Sequence, residues 1–144
     1  MFKIVTERSS FEVNKYSIYG KIHIEISHHI FPDAEWTDIV SSVLSLWADS
    51  LLILLDEGGD DTVDFYFMDG SYYFTVSKND EVYILNLYEN RVIVNSDPMI
   101  IDPKVFRDEI IRNIEYIIEY KVFSKVKDVK KLVQYYNKIK KVLR

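Results

Sequence analysis

The stretch "TVDFYFMDGSYYFTVSKNDEVYILNLYENRVIVN", residues 62–95, carries the clearest structural pattern in the chain. Apolar and polar residues alternate in short runs, the period of half-buried strands. Asp69-Gly70, Asn79-Asp80 and Glu89-Asn90 stand where two-residue hairpin turns would fall, and Asp-Gly is the strongest of these signals. If each is such a turn, opposed residue numbers sum to 139, then 159, then 179. Phe65 then faces Phe74, which faces Leu85 and then Val94. Val63 faces Val76 and then Tyr83, while Phe67 faces Tyr72, Leu87 and Val92. One face of a four-stranded meander is apolar throughout, and a one-residue slip in any hairpin would mix the two faces. The other face carries Asp64, Tyr66 and Met68, then Ser71, Tyr73 and Thr75, then Val82, Ile84, Asn86 and Tyr88, then Arg91, Ile93 and Asn95. Tyr, Met and Arg are enriched at protein interfaces, where they offer apolar area with a polar tip. A cover formed by the C-terminal helices or a second subunit is the competing account of that face.

Upstream, "EWTDIVSSVLSLWADS" (35–50) has a helical period. At about 100° per residue, Trp36, Val40, Val43, Trp47, Leu51 and Leu54 share one stripe. Asp38, Ser41, Ser42, Ser45, Asp49 and Asp56 share the opposite one. The pattern predicts one long amphipathic helix, N-capped by Asp33 and ended at Gly58-Gly59, with both tryptophans in the core. The aspartate stripe would then be a smooth anionic surface. Segment 16–27 alternates as a half-buried strand, with Tyr16, Ile18, Ile22, Ile24 and Ile26 on one face and Lys21, His23, Glu25 and Ser27 on the other. Residues 2–7 form a second strand candidate beside it. Asp102 and Pro103 open a helix as N-cap and first helical residue, and a further helix follows a break near Phe123-Ser124. The expected class is a single α+β domain over 1–144: an antiparallel meander sheet packed on one long amphipathic helix, with two C-terminal helices.

The chain has 144 residues and no cysteine, which excludes disulfides, thiolate metal sites and a thiol nucleophile. The N-terminus lacks the apolar run of a signal peptide, and the longest apolar run, Leu51 to Leu55, is too short to span a bilayer. These features predict a cytoplasmic protein without membrane attachment. The net charge of −5 is unevenly placed. Residues 121–144 hold nine basic residues and one acid, Asp128, a net of +8, whereas residues 1–120 carry a net of −13. The Lys-rich last helix has three readings: nucleic-acid phosphates, an anionic membrane, or an acidic surface. Lysine predominates and Arg144 is the one arginine of that segment, which disfavours bidentate readout.

The three histidines are His23, His28 and His29. His23, Glu25 and His29 would share a strand face, but strand neighbours lie about 6.5–7 Å apart and a metal needs donors converging at about 2 Å. They read as surface histidines, with a metal-dependent enzyme around His23 and Glu25 as the weakest alternative. No nucleophile elbow, zinc-helix motif or phosphate-cradling glycine loop is present. The acid-rich "DEGGDDTVD" (56–64) lacks the ligand spacing of a calcium loop. No catalytic residue, metal or cofactor is expected.

Two stretches carry a resemblance: "FPDAEWTDIVSSVLSLW" (31–47) and "FYFMDGSYY" (65–73). Together they are similar to small bacterial proteins encoded beside polymorphic-toxin genes, which look like immunity proteins. The resemblance covers residues 31–73 and implies a protein that binds and neutralises a cognate toxin, as in toxin–antitoxin pairs. An acidic body suits a basic toxin domain, such as a nuclease. The expected function is a non-enzymatic protein-binding module, monomeric or homodimeric. Its partner contacts would come from Tyr66, Met68, Tyr73, Ile84, Tyr88 and Arg91 on the sheet, and from Asp38 and Asp49 on the helix. The alternative is a nucleic-acid-associated module using the Lys-rich helix.

Overall fold

The computed structural model describes residues 1–144 and has an α+β fold. Strands β1 (Phe2–Val13), β2 (Ile18–Ile26), β3 (His29–Phe31) and β4 (Thr37–Ile39) precede helix α1 (Val40–Leu55). Strands β5 (Thr62–Tyr66), β6 (Tyr72–Asn79), β7 (Val82–Glu89), β8 (Val92–Ile93) and β9 (Met99–Ile101) follow. Helix α2 (Pro103–Glu119), a 3₁₀ turn (Lys121–Phe123) and helix α3 (Lys127–Val142) close the chain. There are two antiparallel sheets. In the first, β1 and β3 both pair with β2, as does β4; in the second, β5-β6-β7 continues to both β8 and β9 along β7.

The meander forms with its apolar face as read from sequence, but two of its turns move. Between β5 and β6 the sum of 139 holds, since Phe65 opposes Phe74 and Val63 opposes Val76. Here the reversal is the five-residue loop 67–71, in which the Asp69 carboxylate accepts from Ser71 N at 3.0 Å and its carbonyl from Tyr72 N at 3.0 Å. Between β6 and β7, Phe74 opposes Leu87 and Asn79 opposes Val82, so the turn is Asp80-Glu81. Between β7 and β8, Glu89 opposes Val92, so the turn is Asn90-Arg91. Asp80, Asn90 and Arg91 supply the positive φ these tight reversals require. Each moved turn shifts the register by two residues, which keeps the side chains of β5, β6 and β7 on their expected faces.

The fourth strand is the larger departure. β8 has two residues; Val92 and Val94 are exposed rather than buried against the helix, Ile93 is outward as expected, and Asn95, expected outward, is buried. Met99 and Ile101 of β9 take that place in the core, opposite Leu85 and Tyr83. Buried Asn95 bridges the gap: its Oδ1 accepts from Leu87 N at 2.8 Å, and its Nδ2 donates to Asn86 Oδ1 and Asp97 O. One amide side chain thus satisfies backbone that neither short strand reaches.

The helix starts later than its period suggests. Residues 37–39 pair with β2, Gly20 opposing Asp38, and α1 begins at Val40. Thr37 and Ile39 are β-branched, and Asp38 Oδ1 takes the Ile39 N–H at 2.8 Å, which favours extended backbone over a helical turn. Trp36 is therefore not a helical residue, though it packs edge-on to Phe67 and tilted against Tyr72. Trp47 is fully buried, with ring centroids 5.3 Å from both Phe67 and Phe74. Its Nε1 donates to Tyr66 O, and Ser50 Oγ to Asp64 O, so α1 closes the outer edge of β5.

The aspartate–serine stripe is not a free surface. Ser41 and Ser45 are buried, and Asp128 of α3 accepts from Ser41 Oγ at 2.8 Å and from Ser42 Oγ at 3.1 Å. Small hydroxyl residues let a second helix approach closely, and α3 occupies the face that its polarity assigned to solvent. The first turn of α3 is in turn held by the β1–β2 hairpin, where Lys15 O and Tyr16 O accept from Lys127 N and Asp128 N. The helix break falls as expected, although Phe123 is buried there and Val122 is exposed. α2 packs on the other side, its Phe106 ring within 4.8 Å of Phe2 and 5.3 Å of Phe65.

Asp38 is only 5% exposed, which corrects its placement on an outer surface. Its Oδ2 accepts from Trp36 Nε1 at 3.0 Å and from Met68 N at 3.2 Å. Asp38→Ala leaves these two donors and the Ile39 N–H without this partner. It should cost about 2 kcal/mol, read as a lower urea midpoint at unchanged slope.

Candidate functional site

The outward side of the second sheet is a grid set by strand pairing. Tyr66 opposes Tyr73, Tyr73 opposes Tyr88, and Tyr88 opposes Ile93, giving one row across four strands. The Tyr66 and Tyr73 rings lie 4.9 Å apart and tilted; Tyr73 and Tyr88 lie 5.0 Å apart and stack within 3° of parallel. The next row is Asp64, Thr75 and Asn86, and the third is Thr62, Ser77, Ile84 and Ile100. The helices lie on the other side of this sheet, where α1 and α2 pack on the buried phenylalanines. The outward rings remain half-buried or exposed, with Tyr66 at 38% and Ile100 at 70%.

Tyr66 Oη donates to Asp64 Oδ2 at 3.2 Å. Partial burial of the ring, followed by the Asp64 charge and this hydrogen bond, raises the Tyr66 phenol above its ordinary value, with Arg91 opposing. Arg91 sits in the β7–β8 turn at φ 67° and forms no ion pair.

The remaining sites inferred from sequence separate from this face. Met68 and Asp49 line a different feature, a cleft of 230 Å³ between α1 and α3, with Ser42, Ser45, Leu46, Asp128, Lys131 and Tyr135. Asp38 lies beneath the Met68 loop and faces no solvent. Ile100 was not legible as a site residue because β9 is three residues long; its signal was the apolar "MII" between Pro98 and Pro103. Tyr135 was also missed: Lys131 and Lys138 bracket its ring at 5.9 and 5.8 Å.

His23 departs from its expected surface position. It is 8% exposed, with Nε2 3.6 Å from Glu25 Oε2 and a buried Nδ1 that has no hydrogen-bond partner. His29 lies on β3, opposite Ile26, and no three His, Cys, Asp or Glu side chains gather in a metal-binding group. No helix is long and apolar enough to cross a membrane. Comparison with protein-family models, with curated proteins and with solved structures finds no match to this chain.

The raised Tyr66 value has a consequence at alkaline pH. A phenol held protonated in the fold contributes stability in full below about pH 10, its unfolded value, and loses it as pH rises through the folded value. Burial or a neighbouring carboxylate also raises Tyr72, Tyr83 and Tyr136, so an ultraviolet titration of Tyr66→Phe should show one late-ionising phenol fewer than the wild type. The variant's unfolding midpoint should fall less steeply above that pH than the wild type's.

Proposed function

We propose that the chain is a non-enzymatic protein-binding module, an immunity protein of the cytoplasm that seats the outward side of its second sheet on a cognate toxin. The observation that supports this is the Tyr66–Tyr73–Tyr88 row, which the chain's own helices leave uncovered. A soluble domain gains nothing in its own core from three aromatic rings and Ile84, Ile93 and Ile100 on its wet side. Such rings bury large area on binding with little loss of rotamer freedom, and their hydroxyls keep the free surface hydrated. Neutralisation needs no reacting group; it needs a surface that docks quickly and dissociates slowly. The resemblance of residues 31–47 and 65–73 to proteins encoded beside toxin genes points the same way.

The second reading, nucleic-acid association through α3, has one specific observation in its favour. The single acid of the helix, Asp128, is turned onto α1, so its exposed lysines face solvent without a compensating carboxylate. Its affinity for duplex or single-stranded oligonucleotides would fall steeply with salt, and no mobility shift at low salt would remove it.

The test of the first reading is Tyr66→Ala combined with Tyr73→Ala. It should retain a cooperative thermal transition while weakening capture of a toxin encoded beside its gene by about tenfold or more. Growth rescue on co-expression with that toxin should fail in parallel. Undiminished capture, or loss of the folded state, would take the site away from this face.

A further inference from the structure

We infer that the partner feature read by this face is a guanidinium, an arginine side chain of a basic polypeptide that pairs with Asp64 beside the phenol row. This deepens the protein-binding reading and rests on it. Asp64 is the one acid among the outward residues of β5, β6 and β7. It is exposed, its carbonyl is pinned by Ser50, and its Oδ2 is oriented by Tyr66 Oη. Its Oδ1 has no donor within the protein. Its neighbours across the sheet, Thr75 and Asn86, are neutral.

No cation of the chain forms an ion pair with this carboxylate, although the Arg91 charge is felt at the neighbouring Tyr66 phenol. Residues 56–97 hold ten acids and two bases, a net of −8. Of those bases, Lys78 points to the other side of the sheet, where Nζ donates to Asp56 O, and Arg91 makes no ion pair. The surroundings thus attract a positive partner from a distance. The local chemistry selects its type: a planar fork matches a carboxylate edge and lies against aromatic rings, which a compact ammonium does neither as well.

The experiment uses the full isotope-labelled chain and two synthetic probes, acetyl-Gly-Arg-Gly-Arg-Gly amide and its lysine counterpart. The arginine peptide should shift the backbone amides of Asp64, Tyr66, Tyr73 and Thr75, with affinity several-fold above the lysine peptide. Asp64→Asn should weaken that binding by about tenfold, whereas Glu57→Gln with Asp60→Asn in the neighbouring loop should not. Shifts confined to residues 56–61, equal response to lysine, or no response would overturn the inference. Toxin capture lost in the Tyr66/Tyr73 double variant but intact in Asp64→Asn would also overturn it, while leaving the protein-binding reading in place.

Discussion

The carboxylate of Asp38 ties the two sheets together. One oxygen holds the indole of Trp36 and the backbone of Met68, which are 32 positions apart; the other holds the first residue beyond itself. Phe67, next to Met68, is thereby brought against Trp36, Trp47 and Phe31. A buried carboxylate is tolerable only with its lone pairs occupied, and three N–H donors supply that. The β5–β6 loop is fixed at this point, and with it the end of the sheet at which the tyrosine row lies.

The same geometry gives the resemblance a physical meaning. Phe31, Trp36, Asp38, Trp47, Phe67, Met68 and Tyr72 belong to the two resembling stretches, and they meet in one cluster. That pattern specifies the joint between the sheets. The outward row of tyrosines lies on the far side of the strand from this joint, so a substitution there need not disturb it.

Much of the second sheet was legible because strand faces have parity. Misplacing the turns at Asn79-Asp80 and Glu89-Asn90 by one residue moved partners by two, and Phe74, Leu85 and Leu87 stayed inside while Tyr73 and Tyr88 stayed outside. The exchange of β8 for β9 was not legible, because it turns on one amide, Asn95, whose partners are tertiary. The stripe of Ser41, Ser42 and Ser45 failed for a different reason. A helical period separates large apolar side chains from the rest, but it does not separate a wet face from one where small hydroxyls admit another helix. Asp128 looked like one acid in a basic run, and its real role appeared only with α1 beside it.

The strand edges carry a consequence for the molecule's behaviour at high concentration. Trp47 and Ser50 occupy carbonyls along β5, Glu109 accepts the Ile4 N–H of β1 at 2.8 Å, and β9 is three residues between two prolines. Backbone groups that would template another chain are spoken for by side chains from the helices. Strand addition is thus hindered at these edges. Backbone pairing between two copies of the chain is thereby disfavoured at these positions.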